Sequence, residues 1–279
     1  MIQPILQDDF FLADVAAVRA DPARERLDFW WLGQSGFLVC HEGDCLLFDP
    51  YLSDSLTEKY AGTDKPHVRL TARVVDPARL GFVKIVTSSH NHTDHLDAAT
   101  LLPLLAAAPT APLVLPAANL DFAAQRLGEA LRPRLVPVAE NARVEVGRFT
   151  LEAVPAAHEE LSPGYAGFVV TVGPFRIYHS GDTVLFPGMS GRLRPFMVDL
   201  ALLPINGRAP ERRVAGNLDG VEAAVLAYAI GAGCAVPCHY EMFEFNTASP
   251  VAFAAECARL GQPCLIPRAG ERVTLTARS

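Results

Sequence analysis

The chain reads as a mixed α/β protein, and three observations carry that reading. Short apolar runs rich in β-branched residues alternate with helix-forming stretches through both halves of the 279 residues. One such run, Phe82-Val83-Lys84-Ile85-Val86-Thr87, leads into Ser88-Ser89-His90-Asn91-His92-Thr93-Asp94-His95-Leu96-Asp97, where Asp97 can N-cap a helix from Ala98. No Pro-, Gly- or Ser-rich linker divides the halves, so residues 1–279 are expected to form one domain.

Taken in order, residues 14–26 form a modest amphipathic helix, and 27–32, 36–41 and 44–48 form a meander of strands. Gly33 and Gly36 bracket its first turn and Gly43-Asp44 marks the second. Residues 53–78 are polar and Pro-punctuated, the pattern of a long surface excursion, and such loops often frame a site. Residues 98–120 carry no charge, yet Pro103, Pro109, Pro112 and Pro116 forbid one continuous membrane helix. They read as a short helix, a loop and a buried strand at 113–115. A helix over 120–128 precedes strands at 134–138, 143–146 and 149–154, then a hairpin of 167–172 and 175–179 around Gly173-Pro174. The second half repeats the rhythm: strand 200–205, helix 218–230 capped near Asn217, strand 235–237, helix 250–260 and a closing segment, 264–275.

Half the residues are hydrophobic, enough for a sizeable core. A formal charge of −7 without any run of Lys and Arg argues against a nucleic-acid partner. The N-terminus, MIQPILQDDFF, has acids where a signal peptide has bases, so a cytoplasmic location is expected. The cysteines at 40, 45, 234, 238, 257 and 264 lack paired CxxC spacing and are expected as reduced core thiols, although Cys40 and Cys45 can face each other across a hairpin.

The chemistry concentrates in the loop from Ser88 to Asp97, where His90, His92, Asp94 and His95 put four metal-ligating side chains into six positions. On extended chain His90 and His92 point to one side, while Asp94 and His95 turn away as the helix begins, which predicts two neighbouring half-sites. Imidazoles with a carboxylate suit Zn, Mn or Fe. No GxSxG elbow is present and no Cys lies in a nucleophile motif, so a metal-activated hydroxide is the expected nucleophile. Asp94 is the candidate to orient it and to shuttle a proton.

The pattern His-x-His-x-Asp-His, followed by His158 in VPAAHE, Asp182 in YHSGDT and His239 in PCHYEMF, resembles the metallo-β-lactamase fold superfamily in motif type and order. Within it, WWLGQSGF, LPINGR and the late GN…EA…GA…P.HY.MF are most similar to the L-ascorbate-6-phosphate lactonase group. The resemblance implies a four-layer αββα sandwich and two divalent ions, Zn or Mn first and Fe as an alternative. It implies that His90, His92 and His158 hold one ion, Asp94, His95 and His239 the other, and that Asp182 bridges. It also suggests that Asp49 orients a ligand imidazole; an Asp capping a turn before Pro50 explains that residue equally well. His179 is expected as a packed or hydrogen-bonded imidazole beside the ligands, with substrate contact as the alternative.

The expected reaction is hydrolysis of a lactone or related ester of a small sugar acid, with or without a phosphate. Asn206 and Arg208, with Arg212 and Arg213 behind them, are the candidates to bind its non-reacting end. Two other readings stay open: a phosphodiesterase acting on lipid or nucleotide phosphodiesters, and a non-hydrolytic metal-binding module. The expected partner is a small molecule, and a homo-oligomer stays open.

Overall fold

The computed structural model describes residues 1–158 and 160–277. Helix α1 (Asp8–Ala20) precedes an antiparallel meander buried at all but its first and third strands' leading residues, β1 (Arg26–Gly33), β2 (Gly36–His41) and β3 (Asp44–Phe48). Parallel pairing then adds β4 (Val83–Thr87), β5 (Leu113–Pro116) and β6 (Leu135–Val138). The crossovers are α3 (Ala98–Ala107) and α4 (Leu120–Leu127), and β13 (Arg272–Thr276) closes the outer edge beside β1, giving the order β13-β1-β2-β3-β4-β5-β6. The interior strands are built mainly from Val, Ile, Leu, Phe, Trp and Cys because both faces are covered.

The second sheet begins with an antiparallel run of β7 (Arg143–Val146), β8 (Phe149–Ala157), β9 (Leu161–Val172) and β10 (Phe175–His179). It continues in parallel through β11 (Leu200–Pro204) and β12 (Cys234–Cys238), with α5 (Met189–Leu193) and α6 (Gly220–Ile230) as crossovers, and α7 (Val251–Leu260) follows β12. One hydrophobic cluster draws buried side chains from both sheets and from the helices flanking them. The architecture is thus the expected α/β sandwich of two mixed sheets with helices outside. Among the described residues no helix is long and apolar enough to cross a membrane.

Several boundaries differ from the sequence reading. Helix α1 starts at Asp8 rather than 14 because its buried stripe is Phe11, Val15 and Val18, and it stops ahead of Pro22. Helix α6 is capped by Asp219, not Asn217: the Asp219 carboxylate accepts from Glu222 N at 2.8 Å and Glu222 Oε2 accepts from Asp219 N at 3.1 Å, a reciprocal capping box. The excursion after Asp49 contains a short helix, α2 (Ser55–Tyr60). Of the closing segment only Arg272–Thr276 is strand. Cys40 and Cys45 are joined by a disulfide rather than free; the β2–β3 register sets them directly opposite, with Cα atoms 4.2 Å apart. Cys238, Cys257 and Cys264 are free thiols.

Candidate metal centre

The chain leaves the carboxyl ends of β4, β8, β10 and β12 at one edge shared by the two sheets. Within three residues of those ends lie His90, His158, Asp182 and His239, the place where a sheet gathers side chains from distant sequence. The loop after β4 is tied across the sandwich by Ala166 N donating to Ser89 O at 3.0 Å. Gly181 makes that approach feasible. Its φ is +58°, and a Cβ there would fall 2.5 Å from Ser89 Cβ, so a side chain would push Asp182 off the loop.

The seven predicted side chains converge in two groups, His90, His92 and His158 in one and Asp94, His95, Asp182 and His239 in the other. Within each group the ligating atoms all lie within 4.8 Å of one another. Asp182 faces both groups: Oδ1 is 3.3 Å from His95 Nε2, and Oδ2 is 3.2 Å from His239 Nε2 and 3.6 Å from His158 Nε2. Asp94 Oδ2 lies 3.4 Å from His239 Nε2 and 3.6 Å from His95 Nε2.

Three imidazoles are oriented from behind. His95 Nδ1 donates to Asp49 Oδ2 at 2.8 Å, His158 Nδ1 donates to Gly216 O at 3.0 Å, and His90 Nδ1 lies 3.0 Å from Ser89 Oγ. Each leaves Nε2 turned toward the centre. The Nε2 atoms of His90 and His95 and Oδ1 of Asp182 are buried with no hydrogen-bond partner among the described residues. Orphaned donor atoms of this kind, converging from imidazoles and a carboxylate, fit divalent ions, because a buried polar atom without a partner is otherwise costly.

The electrostatics are those of one tightly packed cluster. Burial alone would raise the carboxyls of Asp94 and Asp182 and lower the imidazoles of His95 and His239. Their mutual contact outweighs burial: both carboxyls stay well below the usual carboxylate range, His95 is raised well above its ordinary value, and His239 is raised to about 9. Burial, reinforced by the neighbouring His95, drives His90 well below its ordinary value.

Asp49, fully buried at φ +34°, also accepts from Thr87 Oγ1 at 2.8 Å and from Ser89 N at 3.1 Å, so it braces the turn and holds His95 at once. His179 is packed: its ring stacks on Phe48 at 4.8 Å, Nε2 donates to Ser35 O at 2.8 Å, and Nδ1 accepts from Gly181 N at 3.3 Å. It ties the β1–β2 turn to the loop bearing Asp182 and does not line the cavity.

The substrate-binding expectation needs correction. A cavity of about 570 Å³ opens over the cluster, with Asp94, His92, His158, Asp182 and His239 in its wall, but neither Asn206 nor Arg208 lines it. Arg208 is turned to the outer face, where it forms a bidentate pair with Glu222 at 2.7 and 2.6 Å. Asn206 is buried and donates to Asn246 Oδ1 at 3.0 Å, while Arg212 donates to Asn206 O, Asn246 Oδ1 and Thr247 O; both brace the loop. Of the four, Arg213 alone reaches the cavity.

One residue in the site went unread in the sequence. Gln34, at φ +50° in the β1–β2 turn, donates from Nε2 to Asp94 Oδ2 at 2.7 Å, sits 3.0 Å from His239 Nε2, and accepts from His239 N through its carbonyl at 2.9 Å. Two signals point to it, its place within WWLGQSGF and an amide side chain set in a turn between two apolar strands.

The fold and the two converging groups of donors define a metallo-β-lactamase-type domain, and comparison with known proteins agrees. The Beta-lactamase superfamily domain matches residues 45–240. A UPF0173 metal-dependent hydrolase of Opitutus terrae is 31% identical over 256 residues, covering 87% of this chain and 97% of its own. The chain belongs to the UPF0173 metal-dependent hydrolase family. Igni18, a metallo hydrolase from the archaeon Ignicoccus hospitalis, superposes with a TM-score of 0.67 at 20% identity, over 91% of this chain and all of its own. An isothiocyanate hydrolase from Delia radicum gut bacteria gives 0.69 at 17% identity, over 90% of this chain and all of its own. At such identities these two structures speak to the fold alone.

Proposed function

We propose that His90, His92 and His158 hold one divalent ion and Asp94, His95 and His239 a second, that Asp182 bridges them, and that the protein hydrolyses a lactone or related ester of a small sugar acid. The observation carrying this reading is Asp182, whose Oδ2 lies between the two groups, 3.6 Å from His158 Nε2 of one and 3.2 Å from His239 Nε2 of the other, while Oδ1 is 3.3 Å from His95 Nε2. Zn or Mn suits the donor set best. Divalent ions at such a centre supply Lewis acidity and bring the pKa of water toward neutrality.

The chain's own residues do the rest. Asp49 fixes the His95 ring so that Nε2 faces inward. Asp94, ionised and at the cavity wall, accepts a hydrogen bond from the attacking water and orients its lone pair toward the acyl carbon. Gln34 holds Asp94 Oδ2 in place from the opposite side. No separate nucleophilic side chain is required, in keeping with no cysteine lining the cavity among the described residues.

The test is a substrate panel on metal-loaded protein, setting sugar lactones with and without phosphate against bis(p-nitrophenyl) phosphate and phospholipid. Turnover of the lactones above the phosphodiesters supports the reading. Preference for the phosphodiesters refutes it in favour of a phosphodiesterase.

A further inference from the structure

The cavity over the metal centre has a charge opposite to that of the protein. The chain carries a formal −7, yet the cavity wall contains Lys59, Lys65, Arg126 and Arg213, and among the described residues its carboxylates are Asp94 and Asp182 of the donor cluster. Those two are engaged with imidazoles and are the groups that bound cations would neutralise.

Three of the four basic residues are not paired with carboxylates of the surrounding surface. Among the described residues Lys59, Lys65 and Arg126 have no ion pair, and Arg213 alone has one, with Asp64. Lys59 Nζ lies 5.0 Å over the Tyr60 ring, and Lys65 Nζ donates to Arg213 O at 2.7 Å. Arg126 is half-buried; it donates to Asn91 O at 2.8 Å and Leu96 O at 3.1 Å, with its guanidinium 4.4 Å over the Phe122 ring. These direct partners are neutral; the carboxylates within electrostatic reach, Asp64 beside Lys65 and Asp97 near Arg126, lie outside the cavity wall. Lys59 and Lys65 come from the long excursion after β3 and Arg126 from α4. Like charges brought together in a low-dielectric cleft repel one another and are sustained when an anion visits, and such a cleft concentrates anions from solution.

We propose that the substrate is a small anion whose non-reacting end, a phosphate or carboxylate, is held by Lys59 and Lys65 with Arg126 behind them, while Tyr60, Phe122 and Phe243 cover its apolar body. This rests on the same cavity being the substrate site of the hydrolase proposed above. It replaces Arg208 with residues that reach the cavity.

The experiment measures binding of glycerol 3-phosphate and of glutarate to metal-loaded protein by titration calorimetry, in the parent, in K59A/K65A and in K59R/K65R. The expected result is a Kd that rises about tenfold or more in K59A/K65A at unchanged metal content, recovers in K59R/K65R, and rises with salt in the parent. Whichever anion binds more tightly identifies phosphate or carboxylate as the group recognised. Absence of binding in the parent, or a Kd in K59A/K65A within about twofold of the parent, overturns the proposal. In parallel, kcat/KM is compared for 4-nitrophenyl acetate and for the anionic mono-4-nitrophenyl glutarate. If neither ester is hydrolysed while the lysines still govern anion affinity, the hydrolase reading fails and the anion site stands. If both are hydrolysed at equal kcat/KM, the anion proposal fails and the hydrolase reading stands.

Discussion

Replacing Asp49 by Asn separates metal-site orientation from simple turn bracing. Asp49 and His95 are both fully buried, with Asp49 Oδ2 2.8 Å from His95 Nδ1. Asn keeps the volume and tolerates the φ of +34° that Asp49 adopts, so neither a cavity nor new backbone strain confuses the result. One oxygen can still accept from Thr87 and Ser89, but the other becomes an amide that cannot accept from His95 and offers it no charge. Residues that orient a ligand imidazole are worth about 10–100-fold in metal affinity, or about 1.4–2.7 kcal/mol. Losing a buried charged hydrogen bond costs the metal-free fold about 1.5–3 kcal/mol. Competition for Zn against a chromophoric chelator reads the first, and thermal unfolding in EDTA reads the second. Zn affinity within about twofold of the parent, with only the melting temperature lowered, would mean that Asp49 braces the turn and does not serve the metal centre.

Three further outcomes follow from the same geometry. His92→Ala should lower hydrolysis about a thousandfold while costing the fold about 0.5 kcal/mol or less, since His92 sits exposed on the loop, and Asp182→Ala should abolish activity with the far-UV CD spectrum retained; activity within a factor of about ten in either variant contradicts the ligand assignment. Gln34→Leu removes the donor to Asp94 Oδ2 and should weaken binding of one of the two ions by about tenfold, seen as biphasic metal titration; a titration that matches the parent would make Gln34 a bystander. Arg208→Ala breaks an exposed pair with Glu222 and should cost about 0.2–1 kcal/mol of stability, with kcat/KM on any substrate unchanged; a tenfold fall in kcat/KM would return Arg208 to the cavity.

The parts of the molecule legible in sequence are those set by local pattern. Strands β2 and β3 fall on the residues expected, because Gly36 and Gly43-Asp44 punctuate an otherwise apolar run. Asp97 caps α3 as expected, accepting from Ala99 and Thr100 N. The crowding of His90, His92, Asp94 and His95 pointed to a metal centre without help, whereas His158, Asp182 and His239 are isolated in sequence and were joined to it only through the resemblance. What was not legible is tertiary. Gln34 enters the site because a turn carries it to His239, 205 residues away. Lys59 and Lys65 lie in an excursion with no periodic signal to show which way it folds. Arg208 is turned outward by Glu222, and the Asp219-x-x-Glu222 capping signal both shifts the helix start and sets the carboxylate that takes Arg208 away. The disulfide of Cys40 and Cys45 turned on register: spacing suggested that they face each other, and the expectation of a reducing compartment decided wrongly against a bond.

The central claim is a dinuclear centre built from seven side chains, and metal stoichiometry tests it most directly. Protein stripped with chelator, reconstituted with excess Zn or Mn and freed of unbound metal should contain about two ions per chain by elemental analysis. His92→Ala and Asp94→Ala should each reduce that number toward about one, since they sit in different donor groups. A parent protein that saturates near one ion, however it is reconstituted, would contradict the bridging role of Asp182 and with it the account of the site.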